Sequence, residues 1–185
     1  MSDHRRYGLQ QRKQISSKAR TRAHQDILNF IHQQSLLQPG ATIGCYLSLP
    51  TEVDTQTLIQ TAWQQQCNVV VPVINNELLQ FQPLHPDQTL VSTPLGFQQP
   101  AYSGQTVALN EIDILFMPLT CVDQQGHRVG MGKGYYDKTL APVRHQYTPY
   151  RIGLAYQQQV VDSLLPQPWD VALHALITQE HYTVF

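Results

Sequence analysis

Three glycines at alternate positions, Gly130, Gly132 and Gly134, stand between an apolar run at 112–117 and a helical stretch at 135–141 that Pro142 stops. No other feature restricts the fold of this 185-residue chain so strongly. Glycine has no Cβ, so the backbone reaches positive φ and a ligand can lie directly against amide N–H groups. A strand ahead and a helix behind put the loop where open α/β sheets bind ligands, at the carboxyl end of a strand. Successive N–H groups in such a loop form a concavity for anions. Lys133 adds a mobile charge for phosphate, and Asp137 adds a carboxylate able to hold magnesium. The set suits a nucleoside triphosphate. It is not a Walker A loop, which needs glycine at His127 and Ser or Thr at Gly134, and the spacing is not that of GxGxxG. A glycine-rich surface turn is the plain alternative, and the flanking strand and helix weigh against it.

With 42% hydrophobic residues, the chain is expected to form one domain, 1–185, around a sizeable core. A formal charge of −1 argues against electrostatic binding of nucleic acid. The amino-terminal segment is locally basic, with Arg5, Arg6, Arg12, Lys13, Lys18, Arg20 and Arg22 against Asp3. Two readings stay open for it, a solvated helix face or a reach toward an anionic ligand. No apolar run approaches the roughly 18–20 residues that cross a bilayer, and none reads as a secretory leader. Cys45, Cys67 and Cys121 are widely spaced and odd in number, so they read as buried thiols in a reducing cytoplasm. A cytoplasmic monomer without membrane contact is the expectation.

Periodicity predicts a helix from Ser16 or Ser17 to about Leu37, closed by Pro39-Gly40, and a second from Asp54 to Gln66. Strands are predicted at 42–47, 68–74, 78–81, 112–117, 151–155 and 175–178. The Val/Ile run at 68–74 has the continuous apolar character of a buried parallel strand. Alternating strands and helices indicate an α/β fold in three layers, a mainly parallel central sheet flanked by helices. The Pro/Gln/His-rich stretch at 77–110 is the candidate lid and pocket wall, with Phe81 and Phe97 as candidate stacking rings.

Outside the loop, single residues leave alternatives open. Glu52 is either a first-turn carboxylate favouring a helix dipole or a group that reads a ligand. Asp170, after Pro166 and Pro168, is either a turn residue or a second metal-side carboxylate. His127, His145 and His174 are too scattered for a metal set and read as surface or structural. Tyr135 and Tyr136 cannot share a helix face, so one is assigned to the core and the other to the ligand.

The run from Asp123 resembles the signature Asp-x-x-Gly-x-Arg-(Leu or Val)-Gly-x-Gly-x-Gly-Tyr-Tyr-Asp of the 5-formyltetrahydrofolate cyclo-ligases, or methenyltetrahydrofolate synthetases. It matches at Asp123, Gly126, Arg128, Val129, Gly130, Gly132, Gly134, Tyr135, Tyr136 and Asp137. Tyr46-Leu47-Ser48 with Glu52, the segment 151–156 and the block 166–178 are similar to the family as well, as is the basic leading helix. The resemblance implies ATP- and magnesium-dependent closure of 5-formyltetrahydrofolate to 5,10-methenyltetrahydrofolate through a phosphorylated formyl group. It implies that Arg5 together with Arg128, Val129, Gly130, Met131, Gly132, Lys133, Gly134, Tyr135 and Tyr136 cradles ATP. It implies that Asp137 and Asp170 hold magnesium, and that Lys133, Tyr135 and Asp137 act in catalysis. Leu47, Glu52 and residues 131–135 would meet the folate.

The chain departs from the family at its start. Met1-Ser2-Asp3-His4-Arg5 keeps the arginine of a Lys-x-x-Leu-Arg pattern but lacks the lysine, for which Arg6 and Arg12 are the candidate substitutes. His174 stands where relatives often carry a carboxylate. Two other functions compete: an ATP-dependent kinase or ligase acting on another small substrate, and a non-catalytic nucleotide- or folate-binding module.

Overall fold

The computed structural model describes residues 2–93, 96–101 and 103–185. Two helices open the chain, α1 (Ser2–Gln14) and α2 (Ser17–Gln33). Ser16 caps α2, its hydroxyl accepting the Ala19 N–H at 3.3 Å. The helix ends before the predicted Leu37 because Ser35 takes a left-handed φ of +51°. Leu36 N–H then bonds the Ile31 carbonyl and Ser35 N–H that of His32, the Schellman pattern built without glycine. Strand β1 (Thr42–Gly44) follows, then α3 (Gln56–Gln64). Its N-cap is Thr55, not the predicted Asp54, whose Oδ1 instead accepts the Gln56 N–H at 3.2 Å.

Next come β2 (Asn68–Asn75) and β3 (Leu78–Pro83), a hairpin turned through Asn76 and Glu77, both at positive φ, as a two-residue turn requires. A small hairpin of β4 (Leu90–Ser92) and β5 (Gln98–Pro100) precedes β6 (Ile114–Pro118). Two two-residue strands, β7 (Cys121–Val122) and β8 (Arg128–Val129), form an antiparallel ribbon before α4 (Tyr135–Leu140). The chain closes with β9 (Tyr150–Leu154), β10 (Ala175–Ile177) and β11 (Tyr182–Val184).

The seven-stranded sheet runs β11-β10-β9-β6-β1-β2-β3. Its five inner strands pair in parallel, and only the edges β3 and β11 are antiparallel. On one face, Ile27, Ile31, Leu58 and Ile59 of α2 and α3 bury against Ile43, Val69, Phe116 and Ile152. On the other, Leu140 of α4 and Val143 pack on Leu115, Met117 and Leu176. Leu115 and Phe116 point oppositely because strand side chains alternate with period two, so β6 is apolar on both faces. Phe81 is 2% exposed within the second cluster, which removes it as a stacking ring.

The winding leaves β1 in two directions. One runs through α3 to β2, and the other begins at β6 and continues to β9 and β10. The gap between the carboxyl ends of β1 and β6 is therefore the switch point where such sheets hold ligands. Helix α1 keeps Arg6 and Lys13 in solvent and lays its other face against residues 119–121. His4 O accepts the Cys121 thiol at 2.9 Å, and a Cβ on Gly8 would collide with the Thr120 carbonyl oxygen. All three cysteines are free and buried. Among the described residues, no helix is long and apolar enough to cross a membrane.

Candidate active site

A cavity of about 720 Å³ opens at the switch point. Tyr46 and Leu47 after β1, Pro72 and Ile74 of β2, and Pro118 and Leu119 at the end of β6 contribute to its wall. The glycine loop does not leave β6 directly. The β7–β8 ribbon intervenes, and its turn is built on Asp123. This buried carboxylate accepts N–H bonds from Gln125, His127 and Leu164 at 2.9–3.0 Å and pairs with His127 Nδ1 at 2.9 Å. Burial pushes its pKa up, but the His127 contact and the backbone donors outweigh that and hold the carboxyl below its usual range. Gly126 belongs to the same turn, at φ +82°, where a Cβ would press on the Phe185 ring.

From Gly130 to Gly134 the loop crosses the cavity mouth, with Gly132 at φ +100° and Gly134 at φ +67°. None of the five amide N–H groups of 130–134 finds a protein acceptor among the described residues. Lys133 is exposed and makes no ion pair there. Arg5 of α1 reaches across to donate from Nε to the Gly130 carbonyl at 2.9 Å. Its guanidinium lies over Gly132, about 3.0 Å from where a Cβ would stand. Helix α4 has six residues, too short for its dipole to add much, so the loop's own amides and cations carry the positive character.

The Asp137 carboxylate faces the cavity half-buried. Its Oδ1 accepts Arg128 Nη1 at 2.9 Å and Val171 N–H at 3.1 Å, while Oδ2 has no protein partner among the described residues. Asp170 closes its own turn by accepting Gln167 N–H at 2.8 Å, and it lines the same cavity, so both readings of it hold geometrically. No group of three or more His, Cys, Asp or Glu able to hold a metal occurs among the described residues. Magnesium keeps its waters and is usually held by one or two carboxylates together with substrate phosphates, and Asp137 and Asp170 are carboxylates of this cavity.

Glu52 also lines the cavity and is 7% exposed. Its Oε2 accepts the Leu49 N–H at 3.0 Å and its Oε1 meets Arg12 Nη1 at 3.2 Å. Arg12 is thus buried under Glu52 and does not line the cavity, while Arg6 pairs with Asp3 on the surface at 2.6 Å. Neither takes the place of the missing lysine, and Met1 lies outside the described residues. Tyr135 and Tyr136 are both half-buried and both line the cavity, so the division between core and ligand does not hold. Burial, with Cys45 and Glu52 nearby, pushes the Tyr136 hydroxyl well above its usual range.

The residues assigned above to ATP, folate and magnesium all line this cavity, namely Arg5, Leu47, Glu52, the nine from Arg128 to Tyr136, Asp137 and Asp170, whereas Phe81, Arg6 and Arg12 do not. Phe97 lines it too, from the β4–β5 hairpin. Leu79 also comes from the 77–110 stretch read as a pocket wall, but the sequence did not point to Ile74, Lys138, Arg144 or Trp169, which share the wall. They lie on several elements with no common spacing, and only topology brings them together. His174 is structural, stacked between Tyr147 and Tyr150 with Arg151 Nη2 at 2.7 Å from its Nε2.

The sequence matches the 5-formyltetrahydrofolate cyclo-ligase family over residues 2–179. The chain belongs to that family. It is 38% identical over 158 residues to the 5-formyltetrahydrofolate cyclo-ligase of Haemophilus influenzae, covering 83% of this chain and 81% of that one. To the Escherichia coli K12 protein of the same name it is 36% identical over 142 residues, covering 74% and 77%. The solved 5,10-methenyltetrahydrofolate synthetase of Mycoplasma pneumoniae superposes with a TM-score of 0.74 at 25% identity, over 96% of this chain and 98% of that one. That of Aquifex aeolicus gives 0.83 at 24% identity, over 99% and 91%, which shows the shared fold. The chain is an enzyme of this family, and its three-layer architecture is the family's own.

Proposed function

We propose that this enzyme closes 5-formyltetrahydrofolate to 5,10-methenyltetrahydrofolate at the expense of ATP, with magnesium, releasing ADP and phosphate. One observation carries the reading. The loop amides without protein acceptors, the carboxylates Asp137 and Asp170, and Glu52 all face a single cavity. A nucleotide held by one side and a folate held by the other would meet there.

A formamide oxygen is a poor leaving group. The formyl oxygen attacks the γ-phosphorus and the β–γ oxygen bond breaks, giving ADP and an imidate-type phosphate. The neighbouring arm nitrogen then adds to the activated carbon, loses its proton, and phosphate departs with the formyl oxygen. No protein nucleophile is needed, and the cavity wall holds no Ser, Thr, Cys or His among the described residues. Arg5, Lys133 and the amides of 130–134 hold the triphosphate, and Lys133 follows the charge that builds on the transferred group. Tyr135 and Met131 stand at the boundary between the two reactants, and Leu47 and Glu52 hold the folate. Asp137 and Asp170 would hold magnesium, which when bound neutralises phosphate charge. Juxtaposition alone is worth on the order of 7–11 kcal/mol in such reactions. The buried free thiols support a reducing, cytoplasmic setting, and one domain acting as a monomer suffices for the chemistry.

Substrate labelled with heavy oxygen in the formyl group tests the route. The label is expected in the released phosphate, and its recovery in water or in the folate would exclude a phosphorylated formyl intermediate.

A further inference from the structure

Arg12 is the largest fully buried side chain among the described residues, and it has no place in the glycine-loop motif. Its guanidinium faces one short segment. Nη1 lies 3.2 Å from Glu52 Oε1 and 3.3 Å from the Leu119 carbonyl, and Nη2 lies 3.3 Å from Thr51 Oγ1. Nε has no partner. The other Glu52 oxygen is held by the Leu49 N–H, and the Glu52 carbonyl accepts the Tyr156 hydroxyl at 3.0 Å. Arg20 ties the same corner, donating at 2.6 Å to both the Arg12 and the Pro50 carbonyls. The carboxylate therefore has no freedom left except toward the cavity.

A buried ion pair is a weak device for stability, because desolvation of both charges offsets most of their attraction. This one stands at the cavity wall, where Glu52 is a lining residue and Arg12 is not. Its arginine also shares a helix face with Arg5, seven residues earlier, and the register is fixed by close contact. His4, Gly8 and Arg12, one helical turn apart, meet Cys121, Thr120 and Leu119 in reverse order. Helix α1 thus has one arginine on the nucleotide side and one under the folate side.

We infer that Arg12 is a positioning residue, which holds the Glu52 carboxylate in the orientation that meets the folate without touching substrate itself. The inference rests on the proposal that Glu52 contacts the folate, and it adds a determinant of folate affinity outside the cavity.

A double-mutant cycle in the full chain tests it, with KM measured separately for 5-formyltetrahydrofolate and for ATP. Arg12→Met should raise the folate KM about 10-fold or more and leave the ATP KM within about twofold. In a Glu52→Gln background, the same change should move the folate KM by less than about twofold, since the partner it acts through is gone. If Arg12→Met fails to fold because it strands a buried carboxylate, Arg12→Lys carries the same cycle, with a smaller rise in the folate KM and the same loss of effect beside Glu52→Gln. A folate KM that rises when Glu52 is changed but not when Arg12 is changed overturns the positioning role alone. So does a double variant whose folate KM multiplies the two single effects, or an Arg12 variant that raises both KM values together. A Glu52→Gln enzyme with an unchanged folate KM overturns the Glu52 contact first, and the role of Arg12 with it.

Discussion

Lys133 stands exposed at the centre of the loop with no carboxylate to neutralise it among the described residues, while Arg5, Arg128 and Lys138 beside it each have a protein acceptor. An uncommitted cation beside uncommitted amides is suited to charge that appears only during reaction. Lys133→Ala and Asp137→Asn are each expected to lower kcat/KM about 10²- to 10³-fold, about 3–4 kcal/mol of transition-state stabilisation. Near-normal values in both would remove the phosphate clamp from the account. His174 shows a different use of a titratable group. Burial, and Arg151 beside it, lower its pKa from 6.5 to about 4. The unfolded chain then takes up the proton more readily, so this contribution to stability is complete above about pH 6.5 and fades as the pH falls toward 4. Urea melts across that range should show stability rising with pH in the native chain and a flatter profile in His174→Gln. Equal slopes would contradict this assignment. At this scale the sequence read chemistry well and context poorly. Asp123 and Gly126 belong to the signature as fully as Gly130 and Asp137 do, yet they shape a turn. A pattern of residue types does not separate a side chain that touches a ligand from one that holds the loop that does.

Strand positions were legible because buried parallel strands are apolar on both faces. Helix ends were not: α2 and α3 both stop at a left-handed residue that is not glycine, Ser35 and Gln66, and composition does not mark such positions. The β7–β8 ribbon escaped notice because two-residue strands have no period. Helix α1 is the element whose role changed most, from a basic segment of open meaning to a rod docked on residues 119–121. Its tight point is Gly8. Alanine is favoured over glycine in a helix interior by about 1 kcal/mol, but an overpacked contact costs about 1–3 kcal/mol, and a backbone carbonyl cannot turn aside. Gly8→Ala should therefore lower the melting temperature despite its better helix propensity, which calorimetry would show. An unchanged or higher melting temperature would mean that α1 shifts freely on its seat.

At the scale of the whole molecule, the order of the strands explains why residues as far apart in sequence as Arg5, Glu52, Asp137 and Asp170 line one space. The sequence indicated the sheet and its parallel core, and it indicated the motif residues. It placed part of the wall in the stretch 77–110, where Leu79 and Phe97 lie, but it could not show that Ile74 on β2 and Trp169 on a distant turn would complete it, because nothing local encodes which strands become neighbours. The central claim is that two substrates meet in that cavity and one phosphorylates the other. Absorbance of the methenyl product, followed after the purified chain is mixed with 5-formyltetrahydrofolate, ATP and magnesium, tests it most directly. Product should form only when all three are present, and Lys133→Ala should abolish most of the rate. Product that forms equally well without ATP, or no product under any combination, would contradict the account.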